Sequence, residues 1–429
     1  MAALLLIGFA LGLAIGVPVA LAMGAAGLVT VLAGGGLSPL LVPQQLFRGV
    51  NSFPLMAVPF FILAAELMTA GGLTRALLRF SNDLVGHIRG GLGHVNVLIS
   101  MLFAGISGSA LADAAGPSAV VMRLMRKTGY DPDYAGALSA ATATIGPIIP
   151  PSILMVVYAI TDSRVTVAGL FVAGVVPGLL LGAVLAAANH WIAGRRGYVF
   201  RDRRASLGEL GKSLWAALPA LLMPVIILGG ILGGVFTATE AGAAAVAYAL
   251  VVGGFITREL AWRDLPRVFT RAGVITSAVL LIVAMATLFA WLLTFLQIPQ
   301  SLAGALAALT DDRLAILVLL SVFVLLCGLV IDTLPALIIL VPVLSPIAAR
   351  VGIDPLHFAV ILVLNLTIGM ITPPVGPVLF VVSAVGRIDL ERLARAVLPL
   401  LLAELLVLAA VILLPPLSTA LPALFGYTH

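Results

Sequence analysis

The sequence predicts an all-α polytopic membrane protein, built from two inverted structural repeats that each hold a re-entrant hairpin and a broken helix. The first observation behind this is composition: of 429 residues 62% are hydrophobic and only 10% charged, with a mean hydropathy of +1.22. Chains of that kind dissolve in lipid rather than water. The second is length, because a spanning helix needs roughly 20 apolar residues. Such runs recur at 2–33, 53–70, 165–188, 214–235, 272–296 and 396–416. The third is an internal duplication.

"GYDPDYAGALSAATATIGPIIPPSI" (129–153) aligns with "GIDPLHFAVILVLNLTIGMITPPVG" (352–376) at a constant offset of 223. Matched leucines and alanines are expected between any two apolar helices. The repeated Asp-Pro (Asp131–Pro132, Asp354–Pro355), glycine (Gly146, Gly369) and Pro-Pro pairs are not. The same offset pairs Pro43 with Pro266 and Arg48 with Arg271. Further upstream "GVPVALAMGAAG" (16–27) resembles "GVFTATEAGAAA" (234–245). The expected organisation is a first repeat over 1–192, a basic loop over 193–213, a second repeat over 214–416 and a tail over 417–429.

In the first repeat, crossings are expected near 3–17, 18–35, 53–71, 132–160 and 165–192, with an amphipathic stretch at 73–88. Between them, 94–127 has two apolar arms of only about 13 residues around a small, polar centre, too short for each arm to span, so it reads as a hairpin entering and leaving on one side. An odd number of crossings places the second copy upside down, which is the signature of secondary transporters. Charge tests the arrangement. If the loop 193–213, with Arg195, Arg196, Arg201, Arg203, Arg204 and Lys212, is cytoplasmic, only Arg48, Arg164, Arg313 and Arg350 of the 23 basic residues fall outside. Both termini are then periplasmic. The inward stretch 73–90 is basic, whereas its counterpart 297–312 has no positive charge and two aspartates, Asp311 and Asp312.

Proline has no amide proton and its ring clashes with the carbonyl one turn earlier, so Pro147, Pro150 and Pro151 open one helix, and Pro373 and Pro374 another. Unpaired backbone at membrane depth survives only inside protein or beside a wet cavity, where its carbonyls are good ligands for a hard cation such as sodium. The hairpin tips offer complementary groups. "AGISGSALAD" (104–113) gathers Ser107, Gly108, Ser109 and Asp113; "LCGLVIDTLP" (326–335) offers Gly328, Asp332 and Thr333. Helix starts at such tips attract carboxylates through their amides. Ordinary capping is the competing role for each hydroxyl. The candidate sodium and substrate residues also include Gly146 in the first half, and Gly369, Thr372 and, as a weaker candidate, Asn365 in the second; Thr142 and Thr144 are likewise weaker.

Several classes are excluded or unsupported. The single cysteine, Cys327, precludes an internal disulfide and a cysteine-built metal site. His87, His94, His190 and His357 are scattered, so no transition-metal site is expected. The net charge of +5 marks sidedness rather than nucleic-acid binding. No phosphate loop or nucleophile elbow occurs, so neither ATP hydrolysis nor other enzymatic activity is expected, and no organic cofactor. Thr237 and Glu240 fit a capping box, and Glu66 a structural role near the interface.

"RGVNSFPLMAVPFFILAAELM" (48–68), "GISGSALADAAG" (105–116), "GPIIPPSI" (146–153), "GGVFTATEAGAAAVA" (233–247) and "GMITPPVGPVLFV" (369–381) resemble the large membrane subunit of TRAP transporters, the tripartite ATP-independent periplasmic carriers. The resemblance runs over essentially the whole chain. It implies a sodium-driven symporter of elevator type in a bacterial inner membrane, with the ion-transporter-superfamily fold and sodium sites where each hairpin tip faces its break. It also implies two partners, a small four-helix membrane subunit and a soluble periplasmic substrate-binding protein, and an organic-acid substrate such as a C4-dicarboxylate, sialic acid or another sugar acid. No Lys or Arg is expected near the midplane, so tip amides, hydroxyls and bound sodium would meet the substrate carboxylate. The rivals are an ion-coupled carboxylate carrier that works without a binding protein, and a channel or membrane-embedded enzyme.

Overall fold

A computed structural model describes residues 1–429 except 34–35, 199–202, 311 and 428–429. Arg201, Asp311 and the ends of the 18–35 crossing and the 417–429 tail therefore lie outside the described residues. The first half runs α1 (Ala2–Ala14), α2 (Val19–Ala33), α3 (Leu41–Val50), a 3-10 turn (Phe53–Met56), α4 (Ala57–Ala70), α5 (Leu73–Val85), α6 (Gly91–Ser107), α7 (Ala110–Ala115), α8 (Pro117–Lys127), α9 (Pro132–Ala143), α10 (Ile153–Thr161) and α11 (Val167–Arg196). The second runs α12 (Leu207–Leu232), α13 (Ala238–Val251), α14 (Leu265–Phe295), α15 (Ile298–Leu309), α16 (Arg313–Val330), α17 (Thr333–Arg350), α18 (Pro355–Gly369), α19 (Pro377–Gly386), α20 (Leu390–Leu413) and α21 (Pro416–Leu424). No strand occurs among the described residues. Seven of the described helical segments are long and apolar enough to cross a bilayer.

The duplicated Asp-Pro is a helix start used twice. Asp131 accepts from the Asp133 amide at 2.9 Å and Asp354 from that of His357 at 2.9 Å, each followed by proline at the first helical position. Thr237 and Glu240 form the expected capping box at the head of α13. On α5, Leu73, Leu77 and Ser81 are buried one turn apart while Arg75 and Arg79 face out.

Three features were not legible in the sequence. The first is α3: at the offset of 223 it and α4 together correspond to α14, a single helix of 31 residues. The first copy breaks at Asn51–Ser52, just ahead of Pro54, whereas α14 runs straight through the aligned Val274 and Ile275. The second is the shortness of the link between halves, since α11 continues to Arg196 and a capping box of Ser206 and Glu209 starts α12. The third is α21, held to α18 by a 2.7 Å contact between His357 Nδ1 and Ser418 Oγ.

Helices α1–α5 and α12–α14 pack chiefly on one another, and α6–α11 with α16–α21 form a second group. They meet where α14 lies along α17 and where α6 lies against α4, α5 and α12. Thr270, Ser277, Thr287 and Thr294 of α14 each donate to the carbonyl four residues earlier in their own helix. Within the second group, polar links join the two halves: Thr144 donates to Glu404 at 3.0 Å, and Arg392 to Asp133 at 2.9 Å.

Asn189 on α11 accepts from the Tyr134 hydroxyl at 3.0 Å and donates to the Gly90 carbonyl at 3.1 Å, all three polar groups being buried. Asn189→Leu strands both partners, at a cost of about 1–3 kcal/mol per orphaned group. The expected result is a lowered thermal unfolding midpoint in detergent.

Candidate functional site

The first tip is made by a glycine in a left-handed turn. Gly108 adopts a φ of +58°, ends α6 and hands over to Ser109, whose hydroxyl caps α7 by accepting from the Ala112 amide at 3.3 Å. A Cβ on Gly108 would lie 2.5 Å from the Pro151 carbonyl oxygen, and one on Gly146 would lie 3.3 Å from the Ser109 backbone, so tip and break touch through bare backbone. Behind the tip, Ser100 and Ser118 approach to 3.2 Å between the arms and Ser118 donates to Asp113 at 3.0 Å. Asp113 thus holds the hairpin arms together. Its second oxygen and the Ser107 hydroxyl are buried without a partner.

At the first break the chain leaves α9 after Ala143 and re-enters a helix at Ile153. Pro150 takes from the Gly146 carbonyl the amide donor that a continuous helix would supply. Pro151 does the same to Pro147, whose carbonyl is recaptured by the Ser152 hydroxyl at 2.5 Å, while that hydroxyl caps α10. Pro147, Pro150 and Pro151 are all buried. At the second break the turn satisfies itself: Thr372 donates its amide to Gly369 at 3.1 Å and Val378 to Met370 at 3.1 Å. The Thr372 hydroxyl donates to the Ile368 carbonyl at 2.8 Å, and Pro374 is exposed. Both Pro150–Pro151 and Pro373–Pro374 peptide bonds are cis.

The second tip repeats the backbone contact. A Cβ on Gly369 would lie 2.8 Å from Gly328 Cα and 2.9 Å from its carbonyl carbon. Asp332 precedes α17 without capping it, and its Oδ1 is buried with no partner. Asn365, one turn before the break, is fully buried with neither amide atom hydrogen-bonded.

Between the tips lies a cavity of about 400 Å³. Gly108, Ser109 and Pro147 reach it from the first half, and Asp332, Thr333 and Met370 from the second. The opposite wall is apolar: Ile62 of α4 and Val274, Ile275, Ala278, Val279 and Ile282 of α14. Among the described residues no Lys or Arg lines it. Of the sequence candidates, Gly108, Ser109, Pro147, Asp332 and Thr333 share this cavity. Gly146, Pro151, Gly328 and Gly369 meet in the tip-to-break backbone contacts beside it, and Ser107, Asp113, Pro150, Asn365, Thr372, Pro373 and Pro374 do not line it.

Sequence reasoning missed the α14 wall, because apolar side chains in a lipid-soluble chain carry no distinguishing signal. It also missed Glu404, which is fully buried on α20 against Thr144. The histidines are less scattered than expected: the start of α6 packs on the end of α11, bringing the rings of His94 and His190 to 5.9 Å. Among the described residues no group of three or more His, Cys, Asp or Glu is arranged to hold a metal.

Residues 6–417 match the family model described as "Tripartite ATP-independent periplasmic transporter, DctM component". The chain is 44% identical over 385 residues to the sialic acid TRAP transporter large permease protein of Vibrio cholerae, covering 90% of each. It is 39% identical to the 2,3-diketo-L-gulonate TRAP transporter large permease protein of Escherichia coli, over 97% of this chain and 98% of that one. The isethionate TRAP transporter permease protein of Oleidesulfovibrio alaskensis is 40% identical, and the chain spans 65% of its length. In fold, the chain is similar to the YdaH transporter of Alcanivorax borkumensis, with a TM-score of 0.57 at 17% identity, 89% of this chain and 86% of that one being covered. A two-half helical chain with a cavity between its two tips, matched by this family model over nearly its whole length, belongs to the DctM family, the large membrane components of TRAP transporters.

Proposed function

We propose that the protein carries a small organic acid across the inner membrane, driven by sodium and supplied by a periplasmic binding protein, with a small membrane subunit as its second partner. As a TRAP permease component it is a multi-pass membrane transport protein rather than an enzyme. The relatives are named for sialic acid, 2,3-diketo-L-gulonate and isethionate, which share one anionic head on a polar body. A carboxylate or sulfonate is therefore the group this cavity should receive.

The observation that carries the reading is the buried, unpartnered Oδ1 of Asp332 in a cavity that no described basic residue lines. An anionic substrate approaching it meets repulsion, which in a water-poor site is several-fold stronger than in bulk water. The donor set lining the cavity fits a hard cation: a carboxylate oxygen of Asp332 and the Ser109 and Thr333 hydroxyls. A sodium ion held there supplies the positive charge that the side chains do not. Ser109 and Thr333 then orient the substrate, and the apolar α14 wall excludes water. The support that each tip takes from its own break favours movement of hairpins and broken helices as one body past α14, the elevator mode. The bias of basic residues supports both termini being periplasmic.

The test is uptake by liposomes holding this chain with its small subunit, with the periplasmic protein added outside. Uptake is expected only under an inward sodium gradient and only with the binding protein. Sodium-driven uptake without that protein would favour the stand-alone carrier, and uptake indifferent to sodium would refute the coupling.

A further inference from the structure

A second cavity, of about 510 Å³, follows the first along the same three helices. On α10 the first is lined by Ile153 and Leu154 and the second by Ile160 and Thr161; on α17 the order is Thr333 and Leu334, then Ile338 and Pro342. On α14 the first ends at Ile282 and the second begins at Val283 and continues to Thr294. A step of seven residues at 1.5 Å each sets the two roughly 10 Å apart. The second is the more polar of the two. Gln45, Arg48, Asn51 and Ser52 enter it from α3 and the break that follows, opposite Thr287 of α14.

Arg48 is singled out by comparison with its own duplicate. Arg271, at the offset of 223, pairs with Glu66 at 3.3 Å. The position equivalent to Glu66 in the other copy is Phe289, and no described carboxylate pairs with Arg48. One copy of this guanidinium is neutralised and the other, with no described carboxylate partner, lines the second cavity. The latter is on the side that the charge bias makes periplasmic.

We propose that the 510 Å³ cavity is an entry site for the organic anion, where Arg48 takes the carboxylate or sulfonate before it moves along α10, α14 and α17 to the cavity between the tips. The inference rests on the proposed transport of an anion. A planar guanidinium suits either head group. The pairing of Arg271 with Glu66 leaves no equivalent trap in the other copy. Attraction is thereby confined to one end of the path.

The experiment reads the field of the cavity without a substrate. In a Cys327→Ser background, Thr287→Cys is introduced, and the complex with the small subunit is reconstituted in liposomes. The rates of modification by an anionic sulfonatoethyl and a cationic trimethylammonioethyl methanethiosulfonate, added outside, are then compared. The expected ratio favours the anionic reagent, falls roughly tenfold in Arg48→Gln and is kept in Arg48→Lys. Arg350→Gln, as a control on the same face, leaves it unchanged. A ratio indifferent to Arg48, or a cysteine reached only from the opposite side, would overturn the entry site. Neither result touches the sodium-driven uptake assay, so the transport reading stands or falls separately.

Discussion

Gly369→Val abolishes uptake in a protein that still inserts and assembles. The reason is the contact at the second tip, where a Cβ at residue 369 would lie 2.8–3.1 Å from the backbone of Gly328. Backbone has no rotamer to give, so the tip must lift from the break. Asp332 and Thr333 follow Gly328 within five residues and would be displaced with it. A shift of about 1 Å at a binding constellation is enough to cost about 100-fold in rate. Uptake into liposomes measures the loss, and binding of the small subunit in detergent reports whether assembly survives. Gly328→Val should reproduce the defect, since the two residues face each other. Near-normal uptake in both variants would mean that the tip and break need not touch.

Asp332→Asn is expected to uncouple the protein from sodium. The substitution preserves shape and one oxygen but removes the only described carboxylate that lines the cavity. Coupling energies between linked sites usually correspond to roughly 5- to 150-fold in affinity, and the sodium concentration for half-maximal uptake should rise within that range. Maximal uptake should also fall, because the amide keeps the repulsive desolvation cost of a buried polar group without the charge that attracts a cation. The measurement is initial uptake against sodium concentration at fixed substrate. An unchanged sodium curve would move the coupling site away from the second tip.

Much of this architecture was legible from the chain alone because proline, glycine and Asp-Pro are local instructions. Pro150, Pro151, Pro373 and Pro374 remove donors wherever they stand, and Asp131 and Asp354 cap the helix that immediately follows. Gly108 and Gly369 announce close backbone approach, although not what approaches. The cavity's far wall was hidden for the opposite reason: Val274 to Ile282 are indistinguishable from the lipid-facing residues around them. The break at Asn51–Ser52 was missed because a polar pair ahead of Pro54 reads as the end of a loop, and α3 before it is too short and too mixed to resemble a crossing. Glu404 lies in a run of leucines, and its partner Thr144 is 260 positions away. Nothing local marks that pairing.

The hydroxyls along α14 have one further consequence. Thr270, Ser277, Thr287 and Thr294 each satisfy themselves within the helix that carries them. If hairpins and broken helices move past α14 as proposed, they trade one set of dispersion contacts for another, with no directional bond from those groups to rupture midway. In that mode friction at the surface would be set by shape, and a bulky side chain placed there would act as a brake on the crossing rather than on either end of it.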